Sequence, residues 1–213
     1  MQVNAQTKER IGIVGGSFDP VHLGHLIIAQ DAQRQLALSK IVFIPAAIPP
    51  HKQNHQRASE EHRLEMLRLA TKEEESFCVS DMELQRGGIS YSIDTVENFQ
   101  KAHPEAELFF LIGSDSLVEL HTWNRIEDLL KICTIVTLLR PGEDNKTEIA
   151  AKIKLPLAAR TRLMNHVIDA HRIDISSTEI RQRIKQGESV RFFLPHLVEN
   201  YIVEQKLYQD SEG

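Results

Sequence analysis

The string GGSFDPVHLGH, at 15–25, brings together residue types suited to one task. Gly15 and Gly16 have no Cβ, so backbone amides there can approach a ligand closely, and Ser17 and Phe18 add further N–H groups. A helix expected to start near Val21 or His22 would turn its first amides and the positive end of its dipole towards an anion. A phosphate chain is the natural guest. His22 and His25 stand three apart, on one side of the first helical turn. There, two imidazoles can donate hydrogen bonds to oxygens whose negative charge grows in a transition state. Taken singly, the glycines would also serve an ordinary turn, and the histidines a surface pair. A zinc site on the two histidines has no evident third ligand at sensible spacing.

A second string, ISSTEIR at 175–181, sits where a strand is expected to pass into a helix. Ser176 and Glu179 have the form of a capping box, and Gly187 suits the helix end. The amides and hydroxyls of Ser177 and Thr178, with Arg181 one turn on, make a second anion site.

These strings need a scaffold. IGIVGG (11–16), KIVFIP (40–45), FCVSDMEL (77–84), ELFFLIGSD (107–115) and CTIVTLLRPG (133–142) read as strands, and a short one is expected at the start of HRIDISSTEIRQRIKQG (171–187). Helices are expected over 22–38, 60–71, 92–103 and 125–132, in the later part of 171–187, and over 192–208 with Pro195 near the first turn. In the helix at 60–71, Leu64, Met66 and Leu67 lie opposite charged residues; the stretch 143–165 reads as an insertion. The alternation predicts an α/β fold, a doubly wound parallel sheet with helices on both faces. Ligands bind such sheets beyond the carboxyl ends of the strands, where strand order reverses. GGSFDP, PAAIPPHK and GSDS each follow an apolar strand, so they are expected to meet.

The chain has 213 residues, 41% of them hydrophobic, which favours one domain over 1–213 with a helical portion at about 176–208 packed on it. A net charge of −5 lacks the basic footprint of a general nucleic-acid binder. Cys78 and Cys133 are widely spaced, as for two reduced, buried thiols. The polar start MQVNAQTKER and the short apolar runs predict a soluble, cytoplasmic protein with no membrane partner. Oligomeric state, self-association included, is left open.

GGSFDPVHLGH resembles the HxGH signature of the nucleotidyltransferase superfamily, in the form found in bacterial nicotinate-mononucleotide adenylyltransferases, and ISSTEIR resembles its second signature. The resemblance runs from residue 11 to about 206. It implies a Rossmann-like fold and an enzyme that cuts ATP between its α- and β-phosphates. His22 and His25 would bind the ATP phosphates, and Ser177, Thr178 and Arg181 the β- and γ-phosphates that leave as pyrophosphate. Gly113 would leave room for the nucleoside, and Asp115 would accept a hydrogen bond from it.

The acceptor is read from other stretches. By the same resemblance, His51 and Lys52 in PPHK and Arg140 in LLRPG lie near the acceptor phosphate. Thr95 and its neighbours in SYSIDT meet a nicotinate carboxylate, and Trp123, the single tryptophan, stacks on the pyridine ring. The chain departs from the family in having Ile89 where proline is common and Ser92 where threonine is common. The expected substrates are ATP and nicotinate mononucleotide, the products nicotinic acid adenine dinucleotide and pyrophosphate, with Mg²⁺ held mainly by the ATP phosphates. Nicotinamide mononucleotide and phosphopantetheine remain alternative acceptors, and a nucleotide-sensing module is the non-enzymatic alternative. A class I aminoacyl-tRNA synthetase shares a related HxGH element, but this chain is short and acidic. The polar loop around 50–57 is the segment expected to move over the site.

Overall fold

The computed structural model describes residues 8–50, 57–139 and 145–209. The chain runs β1 (Arg10–Gly16), α1 (Leu23–Gln35), β2 (Lys40–Pro45), α2 (Glu60–Thr71), β3 (Phe77–Val79), α3 (Met82–Arg86), α4 (Ser92–Ala102), β4 (Glu107–Gly113) and α5 (Ser114–Glu119). A 3₁₀ turn (Leu120–Thr122) leads to α6 (Ile126–Ile132), β5 (Thr134–Leu139), α7 (Lys146–Lys152), α8 (Leu157–Met164), β6 (Val167–Asp169), α9 (Ser177–Lys185) and α10 (His196–Glu204). The strands form one parallel sheet in the order β3-β2-β1-β4-β5-β6. Strand order reverses between β1 and β4, which opens a crevice at their carboxyl ends.

The sheet is buried on both faces, which is why its strands read as continuous apolar runs. Ile11, Ile13, Ile44, Phe110 and Ile112 face a layer built from α4 to α8 through Ile93, Leu117, Leu129, Ile149 and Leu163. Ile41, Phe43, Phe109, Leu111 and Val136 face the other layer, where α1, α2, α9 and α10 contribute Ala32, Met66, Ile180 and Val198. The two helices of the 143–165 stretch therefore complete one layer. No helix of the described residues is long and apolar enough to cross a membrane.

Several element boundaries differ from the sequence reading. The third strand ends at Val79, and Met82–Arg86 is helical, because Asp81 receives the Gln85 amide on its carbonyl and the Gln85 side chain on its carboxylate. The strand does close on Gly113, which is at the same time the N-cap of α5, so Ser114 and Asp115 fall in that helix's first turn and not in the strand. The last strand lies at Val167–Asp169, before the segment expected to hold it; residues 171–176 form no ladder. The final helix starts only after Pro195, whose own backbone is extended (ψ 141°) and which serves as the N-cap. Phe192 is left 82% exposed. Cys133 caps α6 and is buried, while Cys78 is half-buried in β3; both thiols are free.

Candidate active site

The carboxyl ends of β1, β2 and β4 do meet. Gly15, Gly16, Ser17, Ala46, Pro50, Gly113 and Ser116 line one cavity of about 420 Å³ that is floored by Phe110 and Ile112 and also reached by Trp123. Through Ser17, His25 and Ile28 it continues into a second cavity of about 470 Å³, lined by Asp19, His22, Arg57, Ser176, Ser177, Thr178 and Arg181. Through Pro50, Ser90, Ser92 and Trp123 it continues the other way into a third, which Tyr91 and Asp115 also line. The result is one trough with the two sequence signatures at one end and the tryptophan at the other.

His22 is the N-cap of α1 and His25 its third residue, so the rings lie together, centroids 3.7 Å apart. The His22 backbone N–H donates to His25 Nδ1 at 3.2 Å. That bond fixes Nδ1 as an acceptor and leaves the ring proton of the neutral form on Nε2. Burial lowers the His22 pKa to about 4. Burial, reinforced by the neighbouring His22, also holds His25 well below an ordinary histidine. At neutral pH both are therefore uncharged N–H donors. Gly24 makes this pairing fit: a Cβ there would lie 3.0 Å from His22 Nδ1 and 3.3 Å from Ile173. The helix amides contribute less than expected, because the Leu23 N–H is already bonded to the Phe193 carbonyl.

Phe18 holds the turn. Its backbone is left-handed (φ 47°), unusual for a bulky side chain, and its buried ring packs edge-on to His25 and Phe43. At the other signature, Ser176 Oγ accepts the Glu179 N–H and starts α9, while Glu179 turns its carboxylate to Arg183 and not back to the cap, so only half of the capping box forms. The Gly187 and Glu188 amides close the helix on the Ile184 and Arg183 carbonyls. Ser177 donates to the Pro20 carbonyl; Arg181 donates to the Asp19 carbonyl and, at 3.3 Å, to Thr178. The two signatures are thus tied to each other directly.

Three buried polar residues that the sequence reading passed over support this geometry. Asp19 is 3% exposed and accepts from the Ala58 amide and the Tyr208 hydroxyl, with Arg181 at 3.7 Å. Burial, with the Asp19 charge beside it, pushes the Tyr208 pKa up, so the phenol stays a donor. Arg63, expected on the charged face of α2, is 1% exposed and donates to the carbonyls of Ser17 and Ala46, one in the loop after β1 and one in the loop after β2. Asp31 holds His171, a lining residue, by its backbone and its ring, each at 2.8 Å. Asp19 lies inside the 15–25 string without a role read from it, and no local pattern marks Arg63 or Asp31; long-range packing assigns all three.

The remaining expectations separate. Trp123 packs edge-on to Phe110 and forms part of the wall of two cavities. Thr95 does not line the trough: it is 1% exposed and its hydroxyl donates to the buried Glu83 carboxylate, while its neighbours Ser90, Tyr91 and Ser92 line the wall. Asp115 faces the tryptophan end. His51, Lys52 and Arg140 lie outside the described residues, as does most of the 50–57 loop.

A family model described as cytidylyltransferase-like matches residues 13–183. A chain of Opitutus terrae described as a probable nicotinate-nucleotide adenylyltransferase is 43% identical, over 95% of this chain and 100% of that one. Similarly described chains of Citrifermentans bemidjiense and Desulfitobacterium hafniense are each 40% identical, over 95% and 98% of this chain and 99% and 100% of theirs. The solved structure of Plasmodium falciparum nicotinic acid mononucleotide adenylyltransferase complexed with NaAD aligns with a TM-score of 0.71. It covers 94% of this chain and 97% of that one at 18% identity, a likeness of fold.

Proposed function

The chain belongs to the cytidylyltransferase-like family and, within it, to the nicotinate-nucleotide adenylyltransferases; from that premise we propose how its trough carries out adenylyl transfer. The enzyme joins the AMP part of ATP to nicotinate mononucleotide, giving nicotinic acid adenine dinucleotide and pyrophosphate in NAD biosynthesis. The observation that carries the site reading is the convergence of the histidine pair and the start of α9 on one cavity that opens towards Trp123.

The phosphate end takes the triphosphate: His22 and His25 through neutral N–H groups, Ser177, Thr178 and Arg181 through the β- and γ-phosphates. The crevice near Gly113 takes the nucleoside. The tryptophan end takes the mononucleotide, with its carboxylate near Ser90, Tyr91 and Ser92 and its ring against Trp123. An oxygen of the acceptor phosphate, already anionic at neutral pH, attacks the α-phosphorus in line. A new P–O bond forms as the bond to the β-phosphate oxygen breaks, and that electron pair departs on pyrophosphate. No covalent enzyme intermediate is required, so catalysis consists of positioning and charge stabilisation.

Mg²⁺ enters this proposal with ATP and neutralises charge on its phosphates. Asp19, the carboxylate among the residues lining the phosphate end, is already engaged by Ala58, Tyr208 and Arg181, which supports an ion held by substrate oxygens. Chelating divalent ions is accordingly expected to stop turnover without shifting the melting temperature; a fall in melting temperature on chelation would point to an ion built into the fold. A cytoplasmic setting is part of the proposal, and two free thiols suit a reducing compartment.

The deciding assay offers nicotinate and nicotinamide mononucleotides in parallel with ATP and follows pyrophosphate. Faster release with the nicotinate form is expected; equal rates, or a preference for the amide or for phosphopantetheine, would reassign the acceptor. Gly24→Ala gives a second check. The added methyl must displace His22 or Ile173, and a shift approaching 1 Å lowers turnover by up to about a hundredfold. Unchanged turnover in this variant would mean that the histidine position is not critical.

A further inference from the structure

Arg57 is absent from both sequence signatures, yet it lines the phosphate end of the trough beside His22, Thr178 and Arg181. One of its terminal guanidinium nitrogens, Nη1, is buried and has no hydrogen-bond partner. A buried charged donor left unpaired is costly and is normally matched by an acceptor. Among the described residues little is available nearby. Asp19 is the one carboxylate among the described residues lining this cavity, and it already meets Ala58, Tyr208 and Arg181. A further charge close at hand is of like sign: Arg57 lies near enough to Arg63 to oppose that residue's protonation, an effect second only to burial. Among the described residues, two guanidinium groups thus line the cavity with a third behind its wall, against a single carboxylate. Such an excess of positive charge in a concave site selects a polyanion.

We propose that Arg57 is a further binding residue for the phosphate tail, contacting the β- and γ-phosphates of ATP in the forward direction and pyrophosphate in the reverse. This rests on the adenylyl-transfer reading of the same site. As the α–β bridge breaks, the electron pair passes to the β-phosphate, and Arg57 and Arg181 together meet the charge that develops there. The ligand class is a linear polyphosphate. The nucleoside and the acceptor lie further along the trough and are not touched by Arg57.

The test compares the wild type with Arg57→Gln and Arg57→Lys. Binding of inorganic pyrophosphate and of AMP is measured by calorimetry, and the KM of each substrate by steady-state kinetics in both directions. Arg57→Gln is expected to weaken pyrophosphate binding and raise its KM roughly tenfold to a hundredfold, the range of one charge-assisted hydrogen bond. AMP binding and the KM of the mononucleotide should stay within about twofold, and Arg57→Lys should recover part of the loss because the charge remains. Pyrophosphate constants unchanged in Arg57→Gln would overturn the proposal. So would a parallel loss for pyrophosphate, AMP and mononucleotide with a lowered melting temperature, which is the signature of a structural role. If Arg57→Gln fails to fold, Arg57→Lys carries the test through the pyrophosphate-to-AMP ratio. A wild type that binds pyrophosphate through Arg57 but transfers no adenylyl group would refute the reaction and not this contact.

Discussion

His25→Ala is expected to lower turnover by roughly 10²–10³, the loss that follows removal of one preorganised donor at a developing charge. The reason lies in how the ring is held. Its Nδ1 accepts the His22 N–H and its face meets the Phe18 ring, so the Nε2 proton is fixed in place before substrate arrives. The same bond means that alanine also removes an acceptor from the start of α1. Losing a cap of this kind costs about 1 kcal/mol. His25→Asn separates the two effects: an amide oxygen is kept as an acceptor for His22, so stability should recover while turnover should not. Activity within a few-fold of wild type in either variant would remove His25 from the phosphate site.

The histidine pair also sets a pH dependence. In the unfolded chain each imidazole titrates near its ordinary value, whereas in the folded protein both pKa values are lowered, that of His22 to about 4. Between these values the unfolded state binds more protons. The stability they contribute is therefore fully present above about pH 6.5 and is lost as pH falls towards about 4. His25→Ala should show a shallower loss over that window in acid unfolding.

Arg181→Ala is expected to weaken ATP and pyrophosphate binding by about tenfold to a hundredfold, as for a charged hydrogen bond removed from an anion. Binding of the mononucleotide alone should be spared, because the proposal places it at the other end of the trough. The structure adds a qualification. Arg181 also donates to the Asp19 carbonyl and to Thr178, so part of its work is to join the first loop to α9. Arg181→Lys keeps the charge but not the planar fork, and so should preserve more affinity than alignment between the loops. Equal loss of ATP and mononucleotide binding in Arg181→Ala would show that the loop connection, and not the phosphate contact, dominates.

The chemistry of this site was legible where it rests on local rules. Glycines directly after an apolar strand, histidines three apart, and Ser176 placed to receive the Glu179 amide are interactions between near neighbours, so residue type and spacing are sufficient. Continuous apolar runs likewise marked strands covered on both faces, and with them the sheet and the crevice at its reversal point. Boundaries were less legible. Met82–Arg86 and Ser114–Glu119 become helices directly after strands because Asp81 and Gly113 cap them, a detail that apolar periodicity does not register.

What the tertiary structure alone decided is which polar residues line the trough and which hold those that do. Arg63 looked like one more charge on an amphipathic helix, but its guanidinium is buried under two loops whose carbonyls need a donor. Thr95 sits in the expected motif, yet its hydroxyl is spent on Glu83, and it is Glu83 and not Thr95 that lines the cavity. Asp19 meets Tyr208 across nearly the whole length of the chain. A buried polar group must find a partner, and that partner is set by packing and not by sequence distance. The sequence by itself therefore marked two anion sites, through motifs that work within a few residues, and its resemblance to the nucleotidyltransferases implied the reaction type, while the placement of each charge around the trough was decided by the fold.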